Sequence, residues 1–231
     1  MRNQYKVLAE RYDIVKQLLN EVELYHLTDK SHLNSFVTQG VNADLTGSKY
    51  FGAGASQGKG FYVWRDKRYA LHNIGIDQNI REPVIVVLDY PNLNTRDFAP
   101  DYEVCYSHII KLILANLPNI LKHQQQLNQL GIYPIYNNGN NQPPTSFRVR
   151  RPDNGRGNIS FTSDYDVHIK DGENMSSFMN GLEQVDRQLA DSIKAQVINQ
   201  CPAVKYIGST KLWPSRIEDS QGNIIWSNNK L

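Results

Sequence analysis

Cysteine is scarce in this chain, and its scarcity narrows the possibilities early. Among 231 residues there are two, Cys105 and Cys201. That is too few for a disulfide scaffold, and neither has the neighbouring thiol of a cysteine-based zinc site. A reducing compartment is the default that this usage implies, with a single long-range disulfide left open. Excess charge is missing too: a formal net charge of +2 sets up no field that would by itself argue for nucleic acid or a membrane surface. Long apolar runs are also missing. The longest patch, "IIKLILANL" from Ile109 to Leu117, is far short of a membrane span. The opening "MRNQYKVLAERYDIVKQLLNEVELYH" holds no run of the signal-peptide kind. The expectation is a cytoplasmic protein with no membrane partner, or one secreted by a non-classical route into a host cytosol. No internal repeat is visible.

What is present is ordinary globular material. Hydrophobic residues make up 40% and charged residues 21%, enough apolar surface for a real core in one large or two small domains. Thirteen tyrosines supply flat apolar faces with polar tips, suited to ligands as well as to packing. Tyr5, Leu8, Tyr12, Val15 and Leu19 recur at helical spacing, predicting an amphipathic helix over 4–22. "VELYHL" reads as a strand, and "KSHLNSFVTQG" as a helix stopped by Gly40. Residues 41–60 read as a Gly/Ser-rich loop, and Phe61–Trp64 as a second strand. Asp66 is placed to cap a helix ending near Gly75. The unbroken "PVIVVLDY" predicts a strand buried on both faces. Residues 102–130 read as helical with an interruption at Pro118, and "NNGNNQPPTS" as a loop. "SFRVRR" and "ISFTSDYDVHI" read as the arms of a hairpin around "PDNGRGN". A single helix is predicted over 176–200, then short strands at "VKYIG" and "NIIWS". The reading is one α+β domain over 1–231 with a helical insertion at about 103–132.

One ordered combination is more specific than its parts. Tyr25-His26-Leu27-Thr28, then Gln39-Gly40-Val41, then "GKGFYV" from Gly58 to Val63 follow one another over about a quarter of the chain. This order resembles the NAD-binding core of ADP-ribosyltransferases of the His-Tyr-Glu class, which includes the poly(ADP-ribose) polymerases and the diphtheria-toxin-like enzymes. The resemblance implies a split antiparallel or mixed β-sheet core with flanking helices. It implies NAD as co-substrate, no metal, and transfer of ADP-ribose to an acceptor with release of nicotinamide. By the same resemblance His26 would hydrogen-bond a ribose hydroxyl, the backbone of Leu27 would grip the nicotinamide amide beside Thr28, and Tyr62 would stack on the ring. Tyr50 or Phe51 would close the other side. Taken alone, His26 reads as a structural histidine and Tyr62 as core packing.

The chain departs from the family in places. Leu27 stands where the family usually has glycine. "Lys67-Arg68-Tyr69-Ala70" lacks the hydroxyl residue that the polymerases place after the tyrosine. No "Glu-Tyr-Val" supplies the catalytic acid that would stabilise the cationic, oxocarbenium-like state. Asp164 in "SFTSDYDVHI" and Glu103 in "PDYEVCY" are the candidates, with Asp166, on the same strand face as Asp164, and Glu218 behind them. Mono-ADP-ribosylation of a protein is the function that follows, in the manner of an effector or toxin. Two other functions stay open. One is a nucleic-acid-directed transferase, for which Arg148, Arg150, Arg151 and Arg156 could hold phosphates. The other is a catalytically inactive module that binds NAD or protein. The bland reading of those arginines is a solvated hairpin.

Overall fold

The computed structural model describes residues 21–41, 61–72, 74, 80–136, 142–151, 155–161 and 169–228. The helix expected over 4–22 and most of the 41–60 loop lie outside them. The architecture is mixed α+β and is organised by one antiparallel sheet of seven strands, in the order β10-β9-β3-β1-β2-β8-β4. At its centre β1 (Val22–Asp29) pairs along its whole length with β3 (Pro83–Tyr90), from Val22↔Tyr90 to Asp29↔Pro83. The other side of β1 meets β2 (Phe61–Trp64) at Tyr25↔Trp64. Outward from β2 come β8 (Ala203–Tyr206) and β4 (Phe98–Pro100); outward from β3 come β9 (Pro214–Asp219) and β10 (Ile224–Ser227).

Both faces of this sheet are covered, which is why β3 is apolar at every interior position. Val84, Val86 and Leu88 enter one core with Leu24, Phe61, Val63, Val204, Tyr206 and Ile217. Ile85 and Val87 enter a smaller cluster on the other side with Ala70. Helix α1 (Leu33–Gln39) covers the first face through Leu33, Phe36 and Val37. Gly40 ends it in the left-handed region at φ 66°, where a Cβ would meet the Leu212 carbonyl at 2.9 Å, so only glycine fits. Helix α2 (Lys67–His72) covers the second face through Ala70 and Leu71. Its first turn is capped by Asp66, whose Oδ1 accepts from Arg68 N–H at 2.9 Å.

Between β4 and β8, which pair directly, the chain makes an excursion of about a hundred residues with a core of its own. It is larger than the predicted helical insertion at 103–132. Three short helices, α3 (Tyr106–Ala115), α4 (Leu117–Lys122) and α5 (Gln124–Gln129), lead into it. Pro118 sits in the first turn of α4, where its missing N–H costs nothing, so the breaks fall at Asn116 and His123 rather than at the proline. A three-stranded sheet follows, β5 (Ile132–Ile135), β6 (Ser146–Arg150) and β7 (Arg156–Ser160), in that order. The second arm of the expected hairpin begins earlier than the sequence suggested, at "RGNIS", and β5 was not anticipated. Pro134 within it is tolerated because β5 is an edge strand. The helix expected over 176–200 is two, α6 (Ile169–Val185) and α7 (Arg187–Gln200), divided at Asp186, whose carboxylate caps α7 by accepting from Leu189 N–H at 2.9 Å.

Cys105 and Cys201 form a disulfide across the base of the excursion, with Cα atoms 5.6 Å apart and a sequence separation of 96. Both sulfurs are buried in the excursion's core. This replaces the default of two reduced thiols: the two cysteines flank a paired pair of strands, so the fold brings together residues that the sequence keeps far apart. Closing so long a segment stabilises the native state mainly by restricting the unfolded chain. Replacing Cys201 by Ala should lower stability by about 2–5 kcal/mol, read from urea denaturation. An unchanged midpoint would show that the bridge closes nothing that the fold does not already hold.

Candidate functional site

His26 stands where the two motifs of the family-like pattern meet. Strand alternation puts Leu24, His26 and Thr28 on the face of β1 that looks into the main core. The imidazole lies against Phe61 at 4.3 Å and Phe36 at 5.6 Å between ring centroids. Its Nδ1 is 2.9 Å from the Tyr62 carbonyl oxygen. A carbonyl can only accept, so Nδ1 carries the hydrogen and Nε2 presents a lone pair. Burial pushes the ring's pKa down to about 4, against the opposing pull of the Tyr62 carbonyl and with help from nearby His32. The ring is therefore neutral near pH 7, and Nε2 is an acceptor suited to a hydroxyl group.

The neighbours of His26 are already occupied in ways that define the site. Thr28 is 7% exposed, and its hydroxyl meets His32 Nδ1 at 3.2 Å. Leu27 points its side chain to the opposite face, packing beside Ala70, Ile85 and Val87. A leucine at the position where the family has glycine thus packs on the face away from His26. Asp29 closes the strand: its carboxylate accepts from Ser31 N–H at 2.9 Å and from the N–H groups of Arg81 and Glu82 at 2.8 and 2.9 Å. The Ser31 hydroxyl, which donates to the same carboxylate at 2.7 Å, has the largest effect, and together with those bonds it holds the pKa below the usual carboxylate range.

Tyr62 is joined to His26 through its backbone, while its ring belongs to a different cluster. Phe61 and Val63 enter the main core, so Tyr62 projects to the other side of β2. There it lies opposite Lys205 of β8 in register, with Nζ 5.8 Å from the ring centroid. Burial, then Asp101 and then Glu103, push the Tyr62 hydroxyl well above its ordinary pKa. Burial pulls Lys205 below the usual lysine range and Asp101 pulls it back. Tyr62, Lys205, Asp101 and Glu103 therefore form one polar cluster at the base of the excursion. Glu103 does not open a helix as the sequence suggested. It sits in a turn before α3, and Asp101 Oδ1 accepts from its N–H at 3.1 Å and from that of Val104 at 3.2 Å. The imidazole and the Tyr62 ring are on opposite sides of the sheet.

Glu218, the late candidate for the acid, is 4% exposed and fully engaged. It is ion-paired with Lys67 of α2, and Arg216 Nε donates to its Oε1 at 2.7 Å. Arg216 also reaches Glu23 of β1, at 2.8 and 3.2 Å, and the Tyr25 hydroxyl donates to Glu23 at 2.5 Å. Burial alone would lower Arg216, yet the two carboxylates raise it on balance. This network was missed in the sequence, although "ELY" and "SRIE" both alternate polar with apolar residues as a strand pairing charges across one face would. Lys205 was missed for a similar reason: "AVKY" reads as an apolar strand with one stray charge. Tyr50, Phe51, Asp164 and Asp166 lie outside the described residues. Among the described residues no group of three or more His, Cys, Asp or Glu side chains is placed to hold a metal ion, and no helix is long and apolar enough to cross a membrane. A shallow groove of about 330 Å³, lined by Lys122, His123, Asp186 and Ser192 among others, contains none of the candidate residues.

Two consequences can be measured. The folded pKa of His26 is below its unfolded value of about 6.5, so its contribution is fully present above pH 6.5 and lost as pH falls toward 4. The loss is about 3 kcal/mol. It should appear as a difference between wild type and His26→Gln in denaturation midpoints across that window, and parallel pH profiles would contradict it. In the ion network, Arg216→Met should cost about 3 kcal/mol because it strips two partly or fully buried carboxylates of their shared cation. Adding Glu23→Gln should recover part of that loss in the same unfolding assay. Compared with family models, curated proteins and solved structures, the chain gives no match to any of them.

Proposed function

We propose that the chain is an NAD-dependent mono-ADP-ribosyltransferase that acts on a protein side chain. The observation that carries this reading is the hydrogen bond from His26 Nδ1 to the Tyr62 carbonyl. It joins the two motifs that resemble the transferase core and fixes a neutral imidazole with Nε2 free to accept from a ribose hydroxyl. In the reaction the bond from ribose C1′ to the nicotinamide nitrogen breaks, and its electron pair leaves with nicotinamide. An acceptor nucleophile bonds C1′ and gives up its proton to solvent water. A histidine with a pKa of about 4 is too weak a base to take that proton, so His26 orients the ribose. A carboxylate must stabilise the cationic centre. Glu103, close enough to Tyr62 to raise its pKa, is one candidate for that role although it lies with Tyr62 on the side of the sheet away from His26, and Asp164 is the other candidate. Stacking of nicotinamide on Tyr62 is the part of the family pattern that the geometry supports least, because the ring faces away from His26.

A second reading has its own support. The strand paired with β2 places Lys205 opposite Tyr62, and an ammonium there disfavours a developing cation while favouring the phosphates of a ligand. A module that binds NAD without cutting it fits that feature.

Incubation with labelled NAD and cell lysate separates the two readings. The transferase reading predicts protein-linked label that His26→Ala abolishes and that Glu103→Gln or Asp164→Asn lowers by at least about a hundredfold. Saturable NAD binding with no transfer would leave the binding module. Normal labelling by His26→Ala would remove the site assignment altogether.

A further inference from the structure

The loop that carries the chain from β8 to β9 passes the end of α1. There Leu212 pairs with Val41 in an isolated antiparallel bridge. Val41 N–H donates to the Leu212 carbonyl at 2.8 Å, and Leu212 N–H to the Val41 carbonyl at 2.7 Å. Leu212 is 7% exposed and belongs to the main core. Its neighbours Lys211 and Trp213 therefore point the other way, together. Both are exposed, Trp213 at 47%.

The indole is held in a defined attitude. Its atoms closest to the place a Cβ on Gly40 would take are Cδ2 and Cε2, both at 3.2 Å. Those two carbons share the bond at the centre of the bicycle, so the glycine meets a face of the ring and not an edge. The opposite face is left to solvent. Contacts lead from this ring to His26. Gly40 N–H donates to the Phe36 carbonyl at 3.2 Å, and the Phe36 ring lies 5.6 Å from the imidazole. In the sheet, Pro214 pairs with Leu88 and Leu88 with Leu24, which precedes His26 by two residues on the same face of β1. Trp213 thus stands on the His26 side of the sheet, where the Tyr62 ring does not.

The surroundings of His26 are aromatic and the imidazole is neutral, so that end offers a phosphate no counter-charge. Lys211 does. The described ion pairs of the main sheet employ Lys30, Lys67, Arg68 and Arg216 and leave Lys211 out. An ammonium and an open aromatic face, side by side on a fixed extended segment, match a nucleotide. The base stacks on the ring and the phosphate meets the cation. A dinucleotide whose ribose reaches His26 carries a second base and its phosphates further along the same side.

We propose that Lys211 and Trp213 form a nucleotide half-site for the adenosine phosphate end of NAD, with adenine on the open face of Trp213 and the phosphates on Lys211. The proposal rests on the transferase reading for its ligand and adds the half that His26 leaves unbound.

Isothermal titration calorimetry of the full chain with NAD and with adenosine monophosphate tests it. Trp213→Ala should weaken both ligands about tenfold, and Trp213→Phe should recover most of that loss. Lys211→Gln should weaken both at low salt, and the difference should shrink as salt screens it. His26→Ala should leave adenosine monophosphate unaffected. Circular dichroism of each variant checks the fold. NAD bound as tightly by Trp213→Ala or Lys211→Gln as by wild type would overturn the half-site and leave the transferase reading standing. So would Trp213→Phe as weak as Trp213→Ala, since any aromatic face should stack. Binding of neither ligand at about 1 mM would remove both readings. Adenosine monophosphate bound through Trp213 without any binding of NAD would strike NAD as the ligand, and this assignment with it.

Discussion

The neck between β4 and β8 is the constraint on which the rest of the molecule depends. The two strands pair as Phe98↔Tyr206, Ala99↔Lys205 and Pro100↔Val204, and within a few residues on either side the Cys105–Cys201 bridge closes the same opening. Everything between them could be inserted because its two ends were already neighbours. A flexible segment of that length would add closure entropy, but this one folds around its own core, so its ends are held rather than searched for. Asp101 marks the transition, turning the chain from β4 into the excursion by accepting from two successive N–H groups. Because Asp101, Glu103 and Lys205 all sit at this neck, the polar cluster around Tyr62 exists only when the excursion is docked correctly.

The main sheet divides its chemistry between its faces. On one side His26 is embedded among aromatic rings and loses its charge. On the other, Glu23, Arg216, Glu218 and Lys67 bring two carboxylates together with two cations, and the Tyr25 hydroxyl completes the coordination of Glu23. That arrangement explains why Glu218 is a poor candidate for catalysis in spite of its depth. Its charge is already neutralised by Lys67 and Arg216, and it pairs in register with Ile85, whose other neighbour on β1 is Leu27 rather than His26. It ties β9 and α2 to the sheet, and a buried pair of this kind is costly to break even where it adds little over an apolar substitute.

The parts of this architecture that were legible in the sequence are those with strong local signals. "PVIVVLDY" announced a strand buried on both faces, Gly40 announced a helix end, and Asp66 announced a cap. The parts that were not legible depend on partners far along the chain. β9 begins at a proline and carries charge at Arg216, Glu218 and Asp219, so its strand character comes from its place beside β3. β5 contains a proline that only its edge position makes acceptable. Asp186 divides what reads as one continuous amphipathic helix because its carboxylate finds the Leu189 N–H. At the candidate site, the order of His26, Gly40 and Tyr62 was readable. The side of the sheet on which each ring stands was not, because alternation is counted from register and register is set by pairing. The disulfide follows the same rule, since 96 residues of separation conceal a contact that strand pairing makes close.

Charge at the neck bears on how a transferase could work here. His26 is neutral and accepts, so it cannot balance a positive charge developing on ribose. Among the described residues, Lys205, Asp101 and Glu103 are charged groups whose influence reaches Tyr62. Asp101 caps its turn by accepting from two backbone N–H groups and counters the effect of burial on Lys205. Glu103 is held by a turn at the neck, and its position relative to the sheet is set by the same β4–β8 pairing that lets the second lobe exist. In the transferase reading, the lobe therefore places a carboxylate beside the Tyr62 face of the sheet, opposite the face that holds His26.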